Sequence, residues 1–294
     1  VINKDFKSIL DLINSFPNEE TCVKHLEELR WNGRIVSSFD SSSKVYKTKN
    51  GYRCKNTSKY FNVKTGTLFD NTKVNLQKWF IAIWLVTSHK KSISSMQLAK
   101  DIHVTQKTAW FMLQRIRACF DIENNDNDHM LDNTVEIDET YIGGKNKNRY
   151  SDKKVPNSQG RGSKDKTPVI GTCIVGDVRS ETLTKEVIRM AKDTANPCSD
   201  EWIGYKGISR IYDHSIVKHN KGQYIKGRIH TNTIEVFWSF VKKRIVGIYH
   251  FTLRKHLQRY ANEFVFSYDT RNSGVNLLVA NTGVRTAYKG LING

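Results

Sequence analysis

The sequence predicts a chain in two parts, an α+β N-terminal half followed by an α/β C-terminal half. Three observations carry that expectation. Apolar residues recur at helical spacing over residues 6–32 and again between 75 and 117. Between those stretches, residues 33–72 turn to Ser, Gly and Asn with short β-type runs such as "KVYKT" and "YFNVKTGTLF". After an acidic, Asn-rich segment at 121–133 the pattern becomes alternating, and beyond about 201 it is helical again.

In order along the chain, "FKSILDLINSF" and "EETCVKHLEELRW" predict helix over 6–32, and "WFIAIWLV" lies in an apolar helix over 75–87. "SISSMQLAKDIHVTQKTAWFMLQRIR" (92–117) predicts two helices. Ser94 and Gln97 have the form of a capping box, "HVT" turns the chain around Val104, and Ala109, Met112, Leu113 and Ile116 face inward on the second helix. Two helices joined by a short turn are the helix-turn-helix plan. There, Gln106, Lys107 and Thr108 at the start of the second helix would face the major groove. An ordinary helical hairpin is the competing reading.

Residues 121–133 read as a linker without periodicity. "VEIDETYIGG" (135–144), "TPVIGTCIVG" (167–176) and "TLTKEVIRM" (182–190) read as three strands, with a mobile basic loop at 145–166 between the first two. Helices follow at 232–246 and 254–268. The domains are therefore 1–72 (N-terminal helices plus a small β-rich module), 73–120 (helix-turn-helix), a linker at 121–133, and 134–294.

Charge narrows the function. The chain has 294 residues, with 47 Lys plus Arg against 29 Asp plus Glu, a formal net charge of +18 and a sequence pI near 9.6. Such an excess is self-repulsive, so an anionic partner is expected. The basic residues are spread along the chain and mixed with aromatics, which favours nucleic acid over a membrane surface. No segment approaches the roughly 20 apolar residues of a membrane span. Cys22, Cys54, Cys119, Cys173 and Cys198 form no CxxC pair, so neither a disulfide framework nor a complete zinc site is expected, and a reducing, cytoplasmic setting fits. No secretory signal is visible, and the chain opens on Val rather than Met, which leaves its start open.

Three acids stand out. In "VEIDETY", Val135 and Ile137 point to one face, Glu136 and Asp138 to the other. Asp is depleted in strands, so Asp138 invites a reason; a solvent-facing side chain is the plain alternative. Asp200, in "PCSDEW", could simply cap a helix. Glu235, in "HTNTIEVFWSFVKKR" (230–244), could be the partner of Asn232 in a capping box. Yet Lys242 lies almost two turns on and shares a face with Glu235 and Ser239, while Ile234, Phe237 or Trp238, Val241 and Ile245 make the buried stripe. Three carboxylates from a strand, a later element and a helix suit two-metal phosphoryl transfer on nucleic acid. Mg²⁺ prefers hard oxygen ligands, and two such ions can activate a nucleophile and stabilise a leaving oxygen.

"VEIDETYIGG", "SDEW", "HTNTIEVFWSFVKKRIVGIYH" and "KHLQRYANEF" together resemble the Merlin-related bacterial insertion-sequence transposases, the ISXO2-like group of the DDE superfamily. "YRCKNTSKYFNVKTGTLF", "KWFIAIWLVTSHKKSISSMQLAKDI" and "VTQKTAWFMLQRIR" resemble the same family's N-terminal half, so the likeness covers nearly the whole chain in order. The resemblance implies a zinc-ribbon-like module and helix-turn-helix ahead of an RNase H-like catalytic domain. It implies double-stranded DNA as partner (terminal inverted repeats and target), a homo-oligomer on DNA, and two divalent cations, Mg²⁺ or Mn²⁺. Asp138, Asp200 and Glu235 are the implied catalytic, metal-holding triad, with Asn232 an alternative third ligand. Lys242, with Lys243 and Arg244 beside it, is the implied phosphate contact. A DNA-bound chain would be nucleoid-associated.

Two departures follow. Where the family carries a Cys-Pro-x-Cys knuckle this chain reads "IVSSFDSSSKVY" (35–46), and only Cys54 remains of the second knuckle. Structural zinc needs four N or S ligands, so the ribbon is degenerate and no zinc is expected. Second, an RNase H-like sheet needs a crossover of about a dozen or more residues, usually a helix, before the strand that ends at the second Asp. With 182–190 read as a strand, only "AKDTANPCS" precedes Asp200. The resemblance therefore implies that a helix and strand, about twenty residues, are either absent from this sequence or deleted from this copy, and a deletion would leave Asp200 misplaced. The leading expectation is a metal-dependent transposase. The alternative is a catalytically inactive DNA-binding protein, a decayed transposase or a regulator. An RNase H-type nuclease on RNA–DNA hybrids would share the acids but leave the helix-turn-helix unexplained.

Overall fold

A computed structural model of the chain describes residues 6, 8–89, 91–120, 130–144, 146, 149–156, 166–171, 173–221, 225–226 and 229–269. The chain divides into two compact units at Phe120/Asp121. Most of the linker expected at 121–133, and much of the basic loop expected at 145–166, lies outside the described residues.

The first unit is built on local caps. Ser8 and Asp11 form a complete capping box for α1 (Ile9–Ser15), and Asn18 caps α2 (Glu19–Trp31), which ends at Asn32 in the left-handed region. A three-stranded antiparallel sheet follows, β1 (Val45–Thr48), β2 (Gly51–Cys54) and β3 (Tyr60–Phe61). Its inner face sets Tyr52 and Phe61 against Trp31 of α2, with ring centroids 5.3 and 6.2 Å from the indole. Helix α3 (Leu76–Ser88) buries Leu76, Trp79, Phe80, Ala82 and Ile83. Phe80 meets Phe16 edge-to-face at 4.9 Å, and Glu19 Oε2 accepts the Leu76 N–H at 2.6 Å, so α3 is capped from α2. Helices α4 (Ser95–Asp101) and α5 (Gln106–Ala118) are joined by a short turn at His103, φ +51°. Their caps are Ser94 and Thr105; only half of the expected box forms, because the Gln97 amide turns to Asp101.

The second unit is built on two three-stranded sheets that share one line of chain, with helices on both faces. Strands β4 (Thr134–Glu136) and β5 (Glu139–Ile142) are one line of chain interrupted at Ile137–Asp138. On one side β4 pairs in parallel with β8 (Asn196–Asp200), which pairs in parallel with β9 (Ser215–Val217). On the other side β5 pairs antiparallel with β6 (Thr167–Ile170), and β6 with β7 (Cys173–Ile174). Val135, Ile137 and Ile170 pack with Leu183 and Val187 of α6 (Ser180–Met190) and with Tyr205 and Ile208 of the 3-10 segment Ile203–Arg210. Ile142 and Val169 pack on the opposite face with Trp238 and Val241 of α7 (Asn232–Arg244) and Leu257, Tyr260 and Phe264 of α8 (Arg254–Asp269). Adjacent residues Val169 and Ile170 thus serve opposite cores, the period-two consequence of a pleated strand. A two-stranded ribbon, β10 (Ile225–Lys226) with β11 (Ile229–His230), leads into α7.

Three expectations are corrected here. Residues 182–190 are helix α6, whose Leu183 and Val187 are buried four apart while Ile188 is 43% exposed. β-branched residues made the segment read as a strand, but its period is helical. No crossover is therefore missing: α6 is the crossover, and β8 follows it directly to lie parallel beside β4. Residues 167–176 are not one strand but a hairpin, β6 and β7, turned at Gly171 with φ +52°. Finally, Asn232 is the first residue of α7 rather than its cap; the cap position is Thr231, whose side chain makes no capping bond. Among the described residues no helix is long and apolar enough to cross a membrane.

Candidate active site

The two sequence-predicted aspartates stand at the same level of neighbouring strands. Glu136 pairs with Cys198 in the parallel register of β4 and β8, so Asp138 and Asp200 each lie two residues beyond a matched pair. Asp138 sits where the chain changes partners. The Ile137 N–H donates to Cys198 O at 2.7 Å, and Asp138 O accepts the Gly171 N–H at 3.3 Å. Its Oδ1 accepts the Glu139 N–H at 2.9 Å. Asp200 closes β8, and its Oδ1 accepts the Trp202 N–H at 3.0 Å as the chain turns into the next segment.

Glu235 comes from the first turn of α7, and Glu136 fixes that turn. Glu136 Oε2 accepts the Ile234 N–H at 3.0 Å, and its Oε1 lies 3.1 Å from His230 Nδ1, in ion-pair range but off-line for a hydrogen bond. Thr231 Oγ1 donates to Glu235 Oε1 at 3.4 Å. Asn232, Glu235, Ser239 and Lys242 are exposed along one face of α7.

The electrostatics join the three acids. Burial foremost, and then the negative charges of Glu139, Asp200 and Glu235, push the Asp138 carboxyl up to about 6 against the lowering by the Glu139 N–H. A fourth acid, Glu139, accepts from the buried Tyr205 hydroxyl, which burial and this cluster of charge push up strongly. Among the described residues no three His, Cys, Asp or Glu side chains are drawn together tightly enough to hold a metal ion as they stand. The donor set is nonetheless of hard oxygens, and its mutual repulsion at a half-buried aspartate is what a divalent cation relieves.

The ISXO2-like transposase domain model matches residues 130–269, the span that carries all three acids. Residues 130–269 are an ISXO2-like transposase domain. The chain is also 28% identical over 254 residues to a protein of Halobacterium salinarum described as an uncharacterized protein in transposable element ISH50, covering 79% of this chain and 84% of that one. No solved structure matches.

Within the transposase domain, Lys242 and Lys243 are exposed, but Arg244 is not. It is 6% exposed, donates to Ser267 Oγ at 2.9 Å and lies over the Phe264 ring at 5.3 Å. Burial lowers its pKa, against the Glu263 and Tyr249 charges that raise it. Arg244, expected as a phosphate contact, instead packs α7 onto α8. Ahead of the transposase domain, Gln106 and Lys107 are exposed at the start of α5, with Gln106 Nε2 donating to Ser95 Oγ at 2.9 Å. The Thr108 hydroxyl is 2.8 Å from that of Thr105, inside the cap.

Two residues were missed by sequence reasoning. Glu139 had a signal, the doubled acid of "DET". Glu136 as a cap for α7 had none, since a helix N-terminus and its acceptor 98 residues away share no local pattern. In the segment expected as a degenerate ribbon, Ser37 Oγ accepts from the Phe39 and Asp40 N–H groups. Burial pushes the Cys54 thiol up, but the Ser37, Ser43 and Thr57 hydroxyls and the Thr57 N–H outweigh it and draw the thiol down to about 6. Hydroxyls thus stand around Cys54.

Proposed function

We propose that this protein is a DNA transposase that binds the ends of its insertion sequence, cleaves DNA there and joins those ends to a target. The observation that carries this reading is the register of β4 and β8. It sets Asp138 and Asp200 side by side, with the charge of Glu235 reaching the same aspartate. The strand orders β9-β8-β4 and β5-β6-β7, two sheets that meet where β4 runs on into β5, with α6 as crossover, support an RNase H-like catalytic fold. Helices α4 and α5 support a helix-turn-helix that presents Gln106 and Lys107 to the major groove, with Thr108 holding the cap.

Asp138, Asp200 and Glu235 would hold divalent cations, with Asn232 next to Glu235 as the alternative ligand. Bound Mg²⁺ or Mn²⁺ supplies an activated water or 3′-oxygen nucleophile and neutralises charge on the scissile phosphate. The chain's own residues orient that chemistry. Glu136 holds the first turn of α7 on the strand that carries Asp138. Tyr205 holds Glu139 at the rim. Lys242 and Lys243 contact phosphates, on the same exposed side of α7 as Glu235. Assembly of two or more copies on paired DNA ends, in the cytoplasm, completes the reading.

The test is Glu235→Gln. It abolishes Mg²⁺- or Mn²⁺-dependent cleavage of a duplex carrying the element's ends and leaves duplex affinity unchanged. Cleavage by the mutant at the wild-type rate removes Glu235 from the mechanism. A wild-type chain that binds duplex but never nicks it, at any Mn²⁺ concentration, favours the alternative of a DNA-binding protein without catalysis. The intact crossover argues against that alternative.

A further inference from the structure

The outer face of the N-terminal sheet carries a row of side chains that neither the fold nor the proposed catalysis uses. In the strand register Tyr46 of β1 is paired with Arg53 of β2, and Arg53 with Tyr60 of β3, so the three are direct cross-strand neighbours. All three point away from the core that holds Tyr52, Cys54 and Phe61. Tyr60 is 68% exposed and Tyr46 44%. Each ring has a cation over it: Lys44 Nζ stands 5.6 Å from the Tyr46 centroid, and Arg53 Cζ 5.8 Å from that of Tyr60. Lys55, whose N–H donates to Lys44 O at 2.9 Å, extends the cationic edge. A depression lined by Thr48, Lys49 and Asn50 opens beside Tyr60. The sequence between Asp40 and Asp70 contains no acid at all.

We infer that this face binds single-stranded DNA. The charge is complementary to a phosphate backbone, and two exposed rings on alternate strands, about 10 Å apart at the backbone, offer stacking platforms on either side of Arg53. Base–aromatic stacking selects unpaired bases, because the faces of duplex bases are already covered by their neighbours. Sheet aromatics flanked by cations are the means by which other small β-rich modules hold single strands. A strand-processing enzyme exposes such segments at the ends it cuts, and only the choice of DNA over RNA rests on the transposase reading.

The experiment measures binding of the full chain, without divalent metal, to a fluorescent oligo-dT of about 15 nucleotides, to a duplex of equal length and to oligo-rU. Replacing Tyr46→Ala together with Tyr60→Ala lowers affinity for oligo-dT at least about tenfold. The same pair changed to Phe keeps it, and duplex affinity stays within about twofold. Should the alanine pair lower the melting temperature, Tyr46→Ala alone reads the same contrast. Unchanged oligo-dT affinity, equal loss with Phe, equal loss on duplex, or tighter binding of oligo-rU each overturns the inference. A chain that holds oligo-dT through these rings yet cuts no DNA would sink the proposed catalysis and leave this face standing.

Discussion

Glu136 Oε2 accepts the Ile234 N–H at 3.0 Å, linking the strand before Asp138 to the first turn of the helix that carries Glu235. The cap residue Thr231 makes no capping bond of its own, so Glu136 supplies both the acceptor and a negative charge at the positive end of α7. Glu136→Ala is expected to cost about 1–2 kcal/mol of stability. It should also slow cleavage by at least about tenfold, because Glu235 loses its fixed distance from Asp138. Glu136→Gln keeps the acceptor and most of the rate. Melting curves and cleavage assays on both variants check this; equal loss in the two would make Glu136 a ligand rather than a positioning residue.

Neighbouring cations on α7 separate cleanly. Arg244→Ala removes the bond to Ser267 and the cover over Phe264, and should cost about 2–3 kcal/mol by thermal or denaturant unfolding. Lys242→Ala and Lys243→Ala, both exposed, should leave stability within about 0.5 kcal/mol. Each should instead lower the slope of log affinity against log salt by roughly 1 in duplex titrations.

Gly51 cannot take a side chain. Its φ is +142°, and a Cβ there would meet Phe61 O at 2.6 Å, backbone that cannot move aside without breaking the β2–β3 pairing. Gly51→Ala is expected to destabilise the N-terminal unit by about 2 kcal/mol or more. A melting temperature equal to wild type would show that the three strands do not pack this way.

His214 couples the second unit to pH. Its Nε2 and Nδ1 lie 2.9 Å from the hydroxyls of Ser199 and Ser209, and burial lowers its pKa. The folded state therefore binds its proton less readily than the unfolded chain does. The stabilisation is fully present above the unfolded value of about 6.5, and is lost as pH falls towards the lowered folded value. Melting temperature should drop between pH 7 and 5, and His214→Gln should reduce that slope. A steeper slope in the variant would reverse the sign of the coupling.

Much of the first unit was legible because its signals are local. Ser8, Asn18, Ser94 and Thr105 cap helices three residues away, and the apolar stripe of α3 announces itself within one stretch. Residues 182–190 were misread for the opposite reason: in a short run with β-branched Thr182, Thr184, Val187 and Ile188 the two periods overlap. Tertiary packing of Leu183 and Val187 against the sheet decides for helix. That one reversal removes the apparent gap before Asp200, since the supposed third strand is the crossover itself.

The sequence by itself carried the likeness to the transposase family, most of the helices, the basic character and the three candidate acids, because motifs, composition and spacing within a few turns are local. Only the tertiary structure decided that Asp138 and Asp200 share a level, that Arg244 is buried while Lys242 is not, and that α3 and α7 are capped by Glu19 and Glu136 from 57 and 98 residues away. The physical reason is range. A cap or an amphipathic stripe is satisfied by neighbours in the chain, whereas strand register and long-range hydrogen bonds exist only once the sheet has brought distant segments together.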